Sequence, residues 1–238
     1  MTLSGTMAGP PAERTPRRGR PGHDLAAVVA AGIAVFTERG YDGATMDDLA
    51  AALGIAKSSL YHHVSGKEEI LQRALDRALG ALEAVFDEDA GGAAVSAAPG
   101  GSTANVVMAV DRLERVVRRS IATLIAELPS VTLLLRVRGN SAVERAALAR
   151  RRAIDARFAA LVRQAAAEGA LRDDLDPALV ARLVFGTVNS IAEWYRPRAV
   201  EAHVDGVAAV ADAVCAMVFG GLRASAGARP AGSAAPPQ

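Results

Sequence analysis

The stretch Thr45–Val64, TMDDLAAALGIAKSSLYHHV, decides how the chain is read. Met46, Leu49, Ala50 and Leu53 recur at helical spacing on one face, which predicts a short helix to about Leu53. Thr45-Met46-Asp47-Asp48 resembles a capping box at its start, with Asp where Glu is usual. Gly54 then breaks the run and permits the turn that sets two helices at a steep angle. A further helix is predicted from near Ala56 to near Val64. Two short helices joined by Leu53-Gly54-Ile55-Ala56 form the pattern of a helix-turn-helix. Leu49, Leu53, Ile55 and Leu60 can bury the inner faces. Opposite Leu60 lie Lys57, Ser58, Tyr61 and His62. These are hydrogen-bonding groups of little bulk near a helix start, as a helix needs to enter a DNA major groove.

The adjacent histidines raise a competing reading. On a helix His62 and His63 point about 100° apart, whereas zinc ligands on one helix prefer i, i+4 spacing. Elsewhere only His23 and His203 remain, and no Cys, Asp or Glu cluster accompanies them. A closed zinc site needs four converging ligands, so no metal site is expected. No nucleophile motif such as G-x-S-x-G is present, so no catalytic residue, cofactor or enzyme activity is expected either. For Tyr61 the alternatives are a half-buried core position and a hydroxyl contact to a phosphate. His63 is expected to pack or to reach a phosphate.

Upstream, Leu25, Val28, Val29, Gly32, Ile33 and Phe36 trace an amphipathic helix capped by Asp24 and ended by Gly40. Residues 1–21 form an arm rich in Gly, Pro, Thr and Arg that lacks apolar periodicity and is expected to be disordered. Its basic end (Arg14, Arg17, Arg18, Arg20) reads as a solubilising tail or as an arm that tracks phosphates or the minor groove. Downstream, Ser65-Gly66-Lys67-Glu68 is a second Ser-x-x-Glu cap. It opens a helix with Ile70, Leu71, Ala74, Leu75 and Ala78 inward. Lys67 and this helix start are expected near DNA phosphates.

Residues 91–104 have linker composition. Helices are predicted beyond them at about 105–127, 130–138, 141–168, 177–195 and 200–222. Pro129 and Gly139-Asn140 separate the first three, and Asp176-Pro177 starts the fourth. The Ala/Gly/Pro/Ser tail 224–238 is expected to be disordered. No strand pattern of useful length appears.

Composition bounds the rest. The chain has 238 residues, 51% hydrophobic and only 4% aromatic, with much of the apolar content alanine. Alanine costs least in helices and is depleted in strands, which points to an all-α fold. Net charge is +1, so affinity for nucleic acid has to be local. That argues against the second functional class considered, a non-specific architectural DNA binder built on the basic arm. Cys215 is the only cysteine, so no internal disulfide can form. The uncharged run Leu25–Phe36 is 12 residues long, short of the roughly 17–25 that span a bilayer. With no apolar leader at the N-terminus, a cytoplasmic protein without a membrane partner is expected.

The run AAGIAVFTERGYDGATMDDLAAALGIAKSSLYHHVSGKEEIL resembles the DNA-binding domain of the tetracycline-repressor (TetR) family of bacterial transcriptional regulators. The matching features are Phe36, Gly40-Tyr41, Thr45, Leu49-Ala50, Gly54-Ile55-Ala56, Leu60-Tyr61, His63 and Lys67-Glu68 at the family spacing. Val64 stands where family members usually carry Phe, and Ser58 where Gly, Ala or Pro is common. The resemblance covers 22–82, with the helix-turn-helix at 45–64. It implies that Thr45, Lys57, Ser59, Tyr61, His62 and Lys67 contact a palindromic double-stranded DNA operator; Ser58 and His63 are added from their position. It also implies that 83–223 form a helical domain that binds a small-molecule effector and makes a homodimer.

Within that region, LVFGTVNSIAEWYRP at 183–197 resembles regulators of fatty-acid and sterol-ring catabolism, some of which respond to acyl-CoA thioesters. This suggests a small apolar or acyl-CoA-like effector, CoA thioesters included; a lipophilic drug or antibiotic is the competing class. Phe185, Asn189, Trp194 and Tyr195 are the candidate ligand residues, with Asn189 as polar anchor and the last two at the mouth. The competing reading is dimer packing, with Gly186 and Ala192 allowing close helix approach. The arginines of 141–168 read as a solvated face paired with Glu144, Asp155 and Glu168, or as a phosphate-facing rim. Asp212 and Cys215 read as structural.

Overall fold

The computed structural model describes residues 24–95, 108–196 and 206–223. The N-terminal arm, His23, most of the 91–104 linker, His203 and the C-terminal tail lie outside the described residues. Nine helices form within them: α1 (Leu25–Arg39), α2 (Met46–Leu53), α3 (Lys57–Tyr61), α4 (Lys67–Val95), α5 (Ala109–Ala126), α6 (Leu128–Arg136), α7 (Ala142–Ala167), α8 (Pro177–Trp194) and α9 (Gly206–Leu222). The only pairing of extended backbone among the described residues is an isolated bridge between Leu171 and Arg223. The all-α expectation therefore holds.

Most helix ends follow the predicted cap chemistry. Asp24 accepts from the Ala27 amide at 2.8 Å, and Asp176 from the Ala178 amide at 3.1 Å with Pro177 at the first position. A cap that sequence reasoning missed is the reciprocal box of Ser141 and Glu144 on α7. Four boundaries differ. α3 ends at Tyr61 rather than Val64: His62 and His63 form a turn, and Val64 points inward at 3% exposure. The cap of α4 uses Glu69, not Glu68. Its carboxylate accepts from the Ser65 amide at 2.8 Å and from the Ser65 hydroxyl at 2.9 Å, since a helix starting at Lys67 puts Glu69 at the third position. These bonds and Arg73 bring the Glu69 pKa down to about 2. α4 also continues through 91–95, against the linker expected there. Pro129 lies in the first turn of α6, where its missing N–H is harmless; the break falls at Glu127.

α4 is the spine. It packs against α1 at one end and against α5, α6 and α7 along the rest. Val28, Ile33 and Phe36 of α1, Leu49 of α2 and Leu60 of α3 close over Ile70, Leu71 and Ala74 of α4, all buried. Gly32 makes this approach possible, because a Cβ there would overlap the Cγ2 methyl of Ile70. In the second half, α7 packs on α8 and α5 on α9 around Leu113, Ile121, Phe158, Val184, Val188 and Phe219.

The arginines of α7 do not pair within their own helix as expected. Glu144 is consumed by its cap. Glu168 accepts from the Ala109 amide at 2.8 Å. Instead α7 is riveted to α4: Arg150 binds Glu83 at 2.8 Å and Asp76 at 2.6 Å, and Arg157 binds Asp87 at 2.6 Å. Asp89 of α4 is buried between Arg112 and Arg115 of α5, each at 2.9 Å. The two halves are also tied. Arg77 bonds Glu127 at 2.5 Å, Arg136 bonds the Thr37 carbonyl, and Asn140 bonds Asp42 at 3.2 Å.

Candidate nucleic-acid interface and ligand cavity

The helix-turn-helix is built as its residues require. Thr45 Oγ1 accepts from the Asp48 amide at 3.2 Å, while the Asp48 carboxylate accepts from the Thr45 amide at 2.9 Å and its hydroxyl at 2.7 Å. These bonds hold the Asp48 carboxyl below its usual range. Gly54 takes φ 66° and ψ 31° and returns its N–H to the end of α2. That left-handed conformation suits glycine, having no Cβ to clash. Leu60 is fully buried and anchors α3.

The anchored helix leaves a polar edge outside. Lys57, Ser58, Tyr61, His62 and His63 are exposed and Ser59 partly so. Tyr61 is 50% exposed, so its ring is half-buried while half of the side chain faces outward. His63 does not pack; it is exposed, and Val64 takes the buried place. Lys57 bonds the Asp47 carboxylate at 2.9 Å, which raises its pKa. Sequence reasoning missed Asp47. The turn alone brings α2 and α3 close enough for this pair, across ten positions.

Lys67 departs from its expected place. Its ammonium donates to the carbonyls of Tyr41 at 3.0 Å, Ala44 at 3.0 Å and Asp42 at 3.4 Å, and lies 4.6 Å from the centre of the Tyr41 ring. It is a clamp on the α1–α2 turn rather than a free phosphate ligand. Thr45 is exposed, but its hydroxyl is committed to Asp48.

Of the four candidate ligand residues, the structure brings two together. Phe185 and Asn189 line a cavity of about 40 Å³ with Leu82, Ser120, Leu124, Val131, Leu134, Leu135, Arg151, Ile154, Asp155 and Val188. Phe185 packs tilted on Phe158, ring centres 5.0 Å apart. Trp194 and Tyr195 are not at its mouth. Nine positions along a helix is a half-turn away from Phe185, so Trp194 faces solvent at 52% exposure. Tyr195 is buried in a separate cleft of about 1430 Å³ between α1, α6 and the end of α8. Sequence reasoning also missed Ser120, a lone hydroxyl in the apolar stripe Val116, Val117, Ile121, Leu124. Its Oγ is buried without a partner among the described residues. Burial pushes up the pKa of the Asp155 carboxyl and that of the Cys215 thiol.

Leu179 and Leu183 of α8 and Met217 of α9 are large apolar side chains left exposed. No helix among the described residues is long and apolar enough to cross a membrane.

Comparison with known proteins agrees with this architecture. Residues 28–74 match the family described as "Bacterial regulatory proteins, tetR family". Residues 107–222 match "Tetracyclin repressor-like, C-terminal domain". The biofilm-operon negative transcriptional regulator IcaR of Staphylococcus epidermidis is 46% identical over 44 residues, 18% of this chain and 24% of that protein. The chain thus spans about a quarter of the length of the curated relatives it matches. A crystal structure of a TetR-family regulator from Streptomyces coelicolor A3 is 52% identical, with a TM-score of 0.69 over 83% of this chain and 91% of that one. AibR, solved with isovaleryl coenzyme A and operator DNA, shares the fold at 23% identity, with a TM-score of 0.64 over 82% and 97% of the two chains. The chain belongs to the TetR family of bacterial transcriptional regulators, a family of DNA-binding proteins and not of enzymes.

Proposed function

We propose that the protein is a cytoplasmic, ligand-responsive repressor that binds a palindromic operator as a homodimer. The reading rests on one observation above all: the exposed edge Lys57, Ser58, Ser59, Tyr61, His62 and His63, raised on a helix that Leu60 and Gly54 fix in place. Small donors and acceptors at the start of such a helix meet base edges, and the Tyr61 hydroxyl meets a phosphate. The domains follow as 22–82 for DNA, with the helix-turn-helix at 45–64, and 83–223 for effector and dimer. The apolar side chains Leu179, Leu183 and Met217 supply the face on which two copies join as a four-helix interface.

The effector enters the cavity at Phe185 and Asn189. It is a small apolar or acyl-CoA-like molecule, and a lipophilic drug is the competing class. Binding there biases the separation of the two reading helices away from half-sites one DNA turn apart.

Fluorescence anisotropy with the intergenic DNA upstream of the gene tests the reading. Sequence-specific binding that weakens with salt is the expected result; equal affinity for scrambled DNA sinks it. Tyr61→Ala should cost about tenfold in operator affinity, on the order of 1.4 kcal/mol, with no change in melting temperature. Asp47→Asn releases Lys57 and removes a negative charge from the reading surface. It should raise affinity for scrambled DNA about 3–10-fold by favouring phosphate contact, narrowing the ratio of specific to non-specific binding.

A further inference from the structure

Several polar groups that line the Phe185 cavity make no hydrogen bond or ion pair among the described residues. The other α7 arginines that meet α4, Arg150 and Arg157, are each paired with carboxylates. Arg151 faces the cavity, and no ion pair or hydrogen bond engages it among the described residues. Asp155 follows one turn later on the same face, near enough to interact with Arg151 electrostatically but without a salt bridge. Asn189 has no side-chain partner among the described residues either. At the inner end, Ser120 is 1% exposed and its hydroxyl is orphaned.

A buried hydroxyl without a partner costs free energy, and a partly buried guanidinium that makes no direct hydrogen bond leaves its donors open. A protein keeps both in one cavity at least cost when a ligand satisfies them. The groups set that ligand's chemistry. Arg151 and the exposed Arg182, which lies outside the lining, both act on Asp155, so two guanidiniums and one carboxylate leave one positive charge near the rim. A guanidinium fork matches a carboxylate with two parallel bonds. One arginine does not match the several phosphates of a CoA nucleotide. The walls between rim and floor are Leu124, Leu134, Ile154 and Val188, which ask for hydrocarbon. About 40 Å³ is far below the roughly 300–1,000 Å³ of drug-sized pockets and little above the roughly 30 Å³ share of one water, so the ligand is small and the cavity widens to admit it.

We infer that the cavity takes a short, apolar free carboxylic acid bearing a second oxygen, a keto or hydroxy group, remote from the carboxylate. The carboxylate lies on Arg151, beside Asn189, and the second oxygen satisfies Ser120. This rests on the reading of the cavity as the effector site and narrows it to one chemical class.

A matched five-carbon series tests it: 4-oxopentanoate, pentanoate, 2-pentanone, pentylamine and pentanoyl-CoA, at equal ionic strength. Two readouts are followed on the full chain, the thermal shift and release of operator DNA by anisotropy. Ligand that binds the folded state alone raises the melting temperature. The expected order of thermal shift is 4-oxopentanoate, then pentanoate, then 2-pentanone, with none for pentylamine. Ser120→Ala should erase the advantage of the keto acid over pentanoate while leaving pentanoate binding intact. Arg151→Met should erase the advantage of both acids over 2-pentanone, and Arg151→Lys should restore part of it. Circular dichroism checks that each variant folds. A larger shift from pentanoyl-CoA or 2-pentanone than from 4-oxopentanoate overturns the inference, as does the absence of any shift. A thermal shift in the expected order without operator release leaves the ligand class standing and overturns the effector reading instead.

Discussion

Lys67→Met should lower the stability of the protein by about 3 kcal/mol, because hydrogen bonds to a charged group carry roughly 1.5–3 kcal/mol each and their partners are left wanting. For a chain of this size that is a fall in melting temperature of about 6–12 °C. Three carbonyls of the Tyr41–Ala44 turn converge on one ammonium, and the Tyr41 ring supplies a fourth contact. Methionine keeps the length and the apolar stem but donates nothing. The turn fixes the approach of α2, so operator affinity should fall with stability. A phosphate ligand would give a different signature: an unchanged melting temperature, weaker binding to all DNA, and a salt dependence shallower by about one ion. A thermal melt beside a salt titration separates the two.

Gly32→Ala should also destabilise, against the local trend. In an exposed helix interior alanine is better than glycine by about 1 kcal/mol. Here the added methyl overlaps the Ile70 side chain, which is fully buried. Overpacking a dense core costs roughly 1–3 kcal/mol and occasionally more, so a net loss of about 2 kcal/mol is expected. The signature is non-additivity. Ile70→Ala alone should cost about 2–5 kcal/mol, while in the double variant the methyl added on α1 occupies part of the space that Ile70 leaves. The double variant should therefore be more stable than the two single losses predict when added. Strict additivity in chemical denaturation would show that α1 and α4 do not meet at Gly32.

What the sequence made legible was local. Periodicity and breaks located the helices, and Asp24, Thr45 and Asp176 were legible as caps because they act on amides two or three residues away. The helix-turn-helix was legible for the same reason: Gly54 and Leu60 act within one short segment. What escaped depended on the third dimension. Lys67 is aimed by a turn some 25 residues upstream, and the α7 arginines by acids on α4. Trp194 is close to Phe185 in sequence but not in space, because the helix turns it half-way round. Ser120 carried a sequence signal, a hydroxyl at a core position of α5, but its meaning needed the cavity.

The 29-residue α4 is a rod of roughly 43 Å at 1.5 Å per residue. It belongs to both halves of the molecule. Leu82 forms part of the cavity wall, and Lys67, fifteen positions earlier, grips the turn that carries α2. About 22 Å of helix separates them. Close-packed helices shift as rigid bodies rather than bend smoothly. A tilt of only about 5° at Leu82 would then displace the Lys67 end by roughly 2 Å, given that lever arm. That is several times the roughly 0.5 Å range of distances over which a hydrogen bond to a base edge holds. If the effector site is the one proposed, slight widening of this small cavity would be geared into loss of register at the DNA, with no hinge needed inside the reading head.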